Sequence, residues 1–173
     1  LALTHQRHWL VPDWEPGLTI AQLPLPHLIS CGIQAAVIDV DLTLLPGREV
    51  QLPAPVLTWL NDAKRRLHLH LLSNNPSRGR ISAVAEQLGL NFTCGAGKPR
   101  RGALRRVLED LALPPQQVAM VGDRFFTDIL CGNRLGLYTV LVRPITEDGS
   151  PSPQDRVQRF ERSLVRLMGA PTA

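Results

Sequence analysis

The hydrophobic pattern switches repeatedly between two periods. Residues 35–38, AAVI, form a short continuous apolar run, which reads as a strand buried on both faces. Residues 53–66 follow with Val56, Leu57, Leu60 and Ala63 on one side of a helix, and Pro53 or Pro55 suits its first turn. LHLHLLSNN (67–75) reads as a second strand with His68 and His70 on one side. These are expected to be surface histidines, because no third metal ligand is visible beside them. Residues 78–89 make a second helix that stops at Gly89. LNFTCG (90–95) is a short strand, and residues 100–112 are a third helix closed by two prolines. QQVAMVGD (116–123) is another buried strand, residues 127–135 a helix stopped at Gly136, and 137–145 the last strand. Strands alternating with helices predict an α/β fold: Rossmann-like, a mostly parallel central sheet with helices on both faces.

The two ends read differently. Residues 1–34 carry Pro12, Pro16, Pro24 and Pro26 and no sustained period. They are expected to form an arm packed on the domain through Trp9 and Trp14. Residues 35–145 would be the core, and 146–173 a linker followed by an amphipathic helix at 156–168. Val157, Phe160, Leu164 and Leu167 or Met168 share one face of that helix, which is expected to pack against the core. A membrane-surface role is the sharper alternative for the tryptophans and for this arginine-bearing helix.

Composition narrows the picture. A chain of 173 residues, 44% hydrophobic and 20% charged, fits one globular domain rather than a disordered segment. Cys31, Cys94 and Cys131 are widely spaced and odd in number, which argues against a disulfide framework and for a reducing, cytoplasmic compartment. No signal peptide is legible, and no apolar stretch approaches the roughly 20 residues of a membrane span. The net charge of +4 fits an anionic partner, although arginine bias explains it as well: only Lys64 and Lys98 are lysines. Aromatic residues at 5% leave no stacking platform for single strands, so nucleic acid is not the expected partner.

The candidate chemistry gathers at strand ends. The first strand runs into Asp39-Val-Asp41-Leu-Thr43, the second into Ser73-Asn74-Asn75, and the strand at 116–123 into Gly122-Asp123, with Asp128 five residues on. Lys98 opens the third helix. In an open parallel sheet, the carboxyl ends of the strands share one crevice. Two aspartates one residue apart repel, and burying them costs several kcal/mol unless a cation or a partner compensates. Phosphoryl transfer fits this set. Asp39 would act as nucleophile and Asp41 as general acid and base, with Lys98 adding positive charge. Ser73, with Asn74 and Thr43 beside it, would hold phosphate oxygens. Mg²⁺ would be held by the carboxylates of Asp39 and Asp123 and by a backbone carbonyl near Asp41.

DVDLT, LLSNN, GKP and GDRFFTD together resemble the four motifs of the haloacid dehalogenase (HAD) superfamily, over about residues 35–145. The resemblance implies an aspartyl-phosphate formed on Asp39, proton transfer by Asp41, phosphate binding by Ser73, and stabilisation by Lys98. It also implies Mg²⁺ on Asp123, assisted by Asp128. DVDLTLLP, LLSNNP and GDRFFTDILCGNRLGLYTVLVRPI further resemble the YqeG-like branch of subfamily IIIA, which is similar to phosphatidylglycerophosphate phosphatases. That implies a phospholipid headgroup as substrate and peripheral contact with the membrane. A phosphoprotein, nucleotide or sugar phosphate, or a binding module without turnover, are the alternatives. The gaps from Thr43 to Ser73 and from Ser73 to Lys98 leave no room for a cap domain, so a capless, open crevice is expected.

Overall fold

Strand β1 (Ala35–Ile38) is buried at all four positions because it is flanked on both edges and covered on both faces. The structure, a computed structural model, describes residues 9–153 and 155–169. β1 pairs in parallel with β2 (His68–Leu72) on one side and β4 (Val118–Gly122) on the other. β3 (Asn91–Thr93) adds outside β2 and β5 (Tyr138–Leu141) outside β4, giving the order β3-β2-β1-β4-β5, all parallel. The chain therefore winds outward from β1 in one direction, then returns to its other edge and winds outward again. The switch point lies between the carboxyl ends of β1 and β4, where an open α/β sheet leaves its crevice.

Alternate side chains of β1 feed two cores. Ala36 and Ile38 join a cluster with α1 (Leu25–Ser30), α2 (Ala54–Ala63) and α3 (Arg78–Glu86), through residues such as Leu28, Leu60 and Ile81. Ala35 and Val37 join α4 (Gly102–Leu111) and α5 (Leu130–Leu135) on the other face, through Leu104 and Cys131. α5 lies so close to the sheet that a Cβ at Gly132 would sit 2.6 Å from Thr139 Cγ2 and 2.9 Å from Met120 Cβ. Glycine is what allows that approach. Between Thr43 and Ser73 the chain forms α2 and β2, and between Ser73 and Lys98 it forms α3 and β3.

The expected elements are present with shorter ends, since each strand stops where its polar terminus turns out of the ladder. The amino-terminal segment is more regular than its prolines suggested. It contains α1, and Trp14 bridges to Val140 beside β5, its N–H on the Thr139 carbonyl and its carbonyl accepting from Leu141. Trp14 is half-buried and stacks on His27, but Trp9 stays largely exposed, with the Arg134 guanidinium over its ring. His68 is exposed, and His70 sits 2.9 Å from Thr93 Oγ1, its pKa lowered by burial. Cys31, Cys94 and Cys131 are all free thiols. No helix among the described residues is long and apolar enough to cross a membrane.

The last helix, α6 (Arg156–Leu167), corrects one expectation outright. Its apolar stripe does not face the core. Gln158, Glu161 and Val165 are buried, whereas Val157, Phe160, Leu167 and Met168 are exposed. Polar bonds explain the choice. Gln158 Nε2 donates to the carbonyls of Asp123 (2.7 Å) and Val142 (2.8 Å). Glu161 accepts from the Phe125 N–H (2.9 Å) and pairs with Arg124 (2.8 Å). Those backbone groups would otherwise be buried without partners, a cost of about 1–3 kcal/mol each.

Candidate active site

Asp39 leaves β1 with its N–H on the Val121 carbonyl (2.9 Å), so the carboxylate emerges beside the end of β4. The chain then closes a tight turn, with the Leu44 and Leu45 N–H groups both returning to the Val40 carbonyl. Leu42 pays for that turn with a left-handed backbone, φ 64°, which is unfavourable for a side-chain-bearing residue by roughly 1–2 kcal/mol. Asp39 and Thr43 end up buried, and Asp41 and Leu42 form the rim.

Lys98 organises the floor. Its Nζ donates to Asp39 Oδ1 (2.6 Å), Asp128 Oδ1 (2.7 Å) and the Leu72 carbonyl (2.8 Å), which uses all three ammonium protons. Asn74 fixes the Lys98 backbone from both sides, accepting from its N–H (2.7 Å) and donating to its carbonyl (3.0 Å). Asp128 reaches Lys98 because residues Phe125–Ile129 form a π-helical turn before α5. Its second oxygen accepts from the Arg124 N–H (3.1 Å). Gly122 makes room for it: a Cβ there would run into the Asp128 side chain, 2.6 Å from its Cβ.

Asp39, Asp123 and Asp128 each offer one oxygen, all within 4.8 Å of one another and all buried. Three carboxylates against one ammonium leave two negative charges in a dry site. Burial pushes the Asp39 carboxyl up to about 7, against the pull of Lys98 and with a further push from Asp128. Burial, then Asp39 and Asp128, hold Asp123 well above the usual carboxylate range. Burial alone would lower Lys98, but Asp128 and Asp39 more than reverse it and its pKa is raised. An all-oxygen donor set with two uncompensated charges suits a hard divalent cation, which would return Asp39 and Asp123 to their charged forms. Above this floor lies a crevice of roughly 150 Å³, walled by Asp41, Leu42, Asn74, Arg124 and Thr127. A larger groove, roughly 650 Å³, runs beside β3 and α4; Asp110 is the sole carboxylate among its described lining residues, so the chemistry is elsewhere.

The HAD-hydrolase-like family model matches residues 95–155, the stretch that carries Lys98, Asp123 and Asp128. The probable phosphatase YqeG of Bacillus subtilis is 29% identical over 161 residues, covering 92% of this chain and 90% of that one. The chain is thus similar to HAD-like hydrolases over residues 95–155 and to a probable phosphatase over most of its length. A chloroplastic phosphatidylglycerophosphate phosphatase 1 of Chlamydomonas reinhardtii is 34% identical over 91 residues, 53% of this chain and 34% of its own length. A solved structure of an uncharacterized Listeria monocytogenes protein shares the fold, with a TM-score of 0.56 at 18% identity, over 79% of this chain and 99% of that one.

The residues singled out from sequence separate into two groups in the structure. Asp39, Lys98, Asp123 and Asp128 meet in the floor. The Asp41 carboxylate does not join the other three; it accepts from Ser73 Oγ (3.2 Å) and Arg80 Nη1 (2.7 Å). Thr43 Oγ1 lies between Asp39 and Asp123, at 3.5 and 3.4 Å. Asn74 spends its amide on Lys98 rather than facing the crevice unpaired. Ser73 also accepts from the Asn75 N–H (3.0 Å), which fixes its hydroxyl at the end of β2. Arg80 of α3 escaped sequence reading. Besides Asp41, it donates to the carbonyls of Gly47 (2.9 Å) and Arg48 (3.1 Å), tying the rim to the turn after it. One arginine among many carries no signal of that role. Gln158 and Glu161, spaced three apart with Val165 four further on, did leave a trace as a second stripe on α6.

Proposed function

We propose that this chain is a Mg²⁺-dependent phosphomonoesterase that works through a phosphorylated Asp39, on phosphatidylglycerophosphate or a similar phospholipid. The observation that carries the mechanism is Lys98 bonded to both Asp39 and Asp128 with Asp123 alongside, a buried set that lacks two positive charges. Asp39, Asp123 and Asp128 would hold the ion, which when bound neutralises phosphate charge. Asp39 attacks phosphorus as the ester P–O bond breaks, and Asp41 gives its proton to the departing alkoxide. Asp41 then takes a proton from water, whose oxygen attacks the phosphoaspartate, releasing inorganic phosphate and free Asp39. Ser73 and Thr43 supply hydroxyls to the phosphoryl oxygens, and Lys98 keeps Asp39 oriented throughout. Arg80 holds Asp41 at the rim, where a leaving oxygen would stand.

Similarity to the Chlamydomonas enzyme over 91 residues supports a lipid headgroup. So does the openness of the crevice, since one helix and one strand occupy each gap where a cap would be inserted. The test is phosphate release with Mg²⁺ from phosphatidylglycerophosphate micelles, a phosphopeptide, nucleotides, sugar phosphates and an aryl phosphate. Asp39→Asn is the control and should abolish every activity. A strong preference for the lipid is expected. Preference for a soluble ester would replace the substrate and keep the mechanism. Turnover by Asp39→Asn would remove the nucleophile.

A further inference from the structure

α6 presents its apolar stripe outward although a folded chain normally covers such a row. Phe160 is 64% exposed, Leu167 84% and Met168 60%, with Val157 beside them at positions three, seven or eight apart, so they line one side of the helix. The helix cannot roll to hide them. Its inner side is fixed by the bonds of Gln158 and Glu161 to the segment that carries Asp123, Arg124 and Phe125. Rolling would strand those groups unpaired.

Charge distinguishes among possible occupants. α6 has four arginines, and its only acidic residue, Glu161, is buried against Arg124. Arg156, Arg159 and Arg166 are exposed; Arg159 leans to Asp155, and Arg162 pairs with Glu15. An exposed apolar row edged by arginines fits the boundary of an anionic lipid layer, with the rings among acyl chains and the guanidinium groups at headgroup phosphates. A second exposed ring is close by. Trp9 directly precedes Leu10, which packs with Val165 of α6 and with Phe125. The surface also adjoins the crevice, because Arg124 both lines the crevice and pairs with Glu161 of α6.

We propose that the outer face of α6, Val157, Phe160, Leu167 and Met168 with its exposed arginines, docks this phosphatase on an anionic bilayer. The inference deepens the phospholipid reading and rests on it for its purpose: docking would bring headgroups to the crevice in two dimensions.

The test is co-sedimentation of the full chain with vesicles of phosphatidylglycerol and phosphatidylcholine in equal parts, against phosphatidylcholine alone. The wild type should partition about tenfold more strongly onto the anionic vesicles, and high salt should reduce the difference. Phe160→Glu combined with Leu167→Glu should lower partition about tenfold while keeping the parent's melting temperature, since both side chains are exposed. Equal partition of the double variant, or none by the wild type, overturns the proposal. So does a wild-type dimer that the double variant dissolves without any vesicle binding, which would assign the face to a second copy. Vesicle binding needs no turnover, so it separates the two ideas. Hydrolysis of phosphatidylglycerophosphate in detergent micelles without vesicle binding sinks the docking alone, and binding without lipid hydrolysis sinks the substrate reading alone.

Discussion

The floor and the rim of the crevice are built in opposite ways. The floor is dry, drawn from strand ends and a π-helical turn, and pinned by one lysine whose every proton is used. At the rim the Asp41 carboxylate reaches water, its side chain 42% exposed, and Ser73 and Arg80 hold it in place. The floor stores electrostatic cost that a cation or a proton would relieve. The rim stores far less, because Asp41 is paired with Arg80 and open to water. On the proposed mechanism, the group that would bond to phosphorus sits where reorganisation is least, and the group that would move protons sits where water and leaving groups enter.

That contrast predicts unequal damage. Lys98→Met should be the most severe change, because it leaves Asp39 and Asp128 buried without their cation. A loss of roughly 3–5 kcal/mol in urea unfolding is expected, with turnover down about a thousandfold or more. If the variant melts like the parent, the floor is not held as described. Asp41→Asn should lower stability by no more than about 1 kcal/mol, because its pair with Arg80 is partly exposed, yet cost about 10²–10³-fold in kcat on an alkyl phosphate. The loss should shrink on an aryl phosphate whose leaving oxygen needs no proton, and an equal loss on both esters would contradict the acid role. Arg80→Ala should cost about tenfold in kcat with little change in KM, since it loosens Asp41 without touching the floor. Arg80→Lys should recover only part, because one ammonium cannot span Asp41 and the carbonyls of residues 47 and 48.

The smallest effect is a pH dependence of stability without metal. Folding raises the Asp39 carboxyl from its ordinary 3.8 to about 7, and Asp123 moves in the same direction. Between those values the folded chain holds a proton that the unfolded chain has released, so stability falls as pH rises through the window. Melting temperature in a chelator should therefore decline from about pH 5 to about pH 8, and added Mg²⁺ should restore more at the upper end. A metal-induced shift that is the same at both ends would mean the ion binds elsewhere.

The floor was legible in the sequence for a physical reason. Strand runs end where polar residues can leave the ladder, and parallel strands put all those ends on one edge, so the sequence pattern alone gathers Asp39, Lys98, Asp123 and Asp128. Asp41 was read as acid and base, and as lending a backbone carbonyl to the metal; its carboxylate pairs with Arg80, a partner two elements away that no spacing rule reveals. α6 shows a second limit. Periodicity identifies the apolar side of a helix, but the other side of α6 held the stronger claim on burial because two side chains there complete backbone groups of the Asp123 segment. Hydrophobic pattern does not weigh hydrogen bonds.

The bond between Gln158 and the Asp123 carbonyl spans 35 residues, and the later partner is the support. During synthesis the aspartate leaves the ribosome first and its brace afterwards. The sheet can close around β1 as soon as β5 has emerged, but the loop bearing Asp123 remains unsecured until α6 arrives. Assembly thus has a built-in order: the scaffold first, then competence, which waits on the same helix that faces outward with its apolar row.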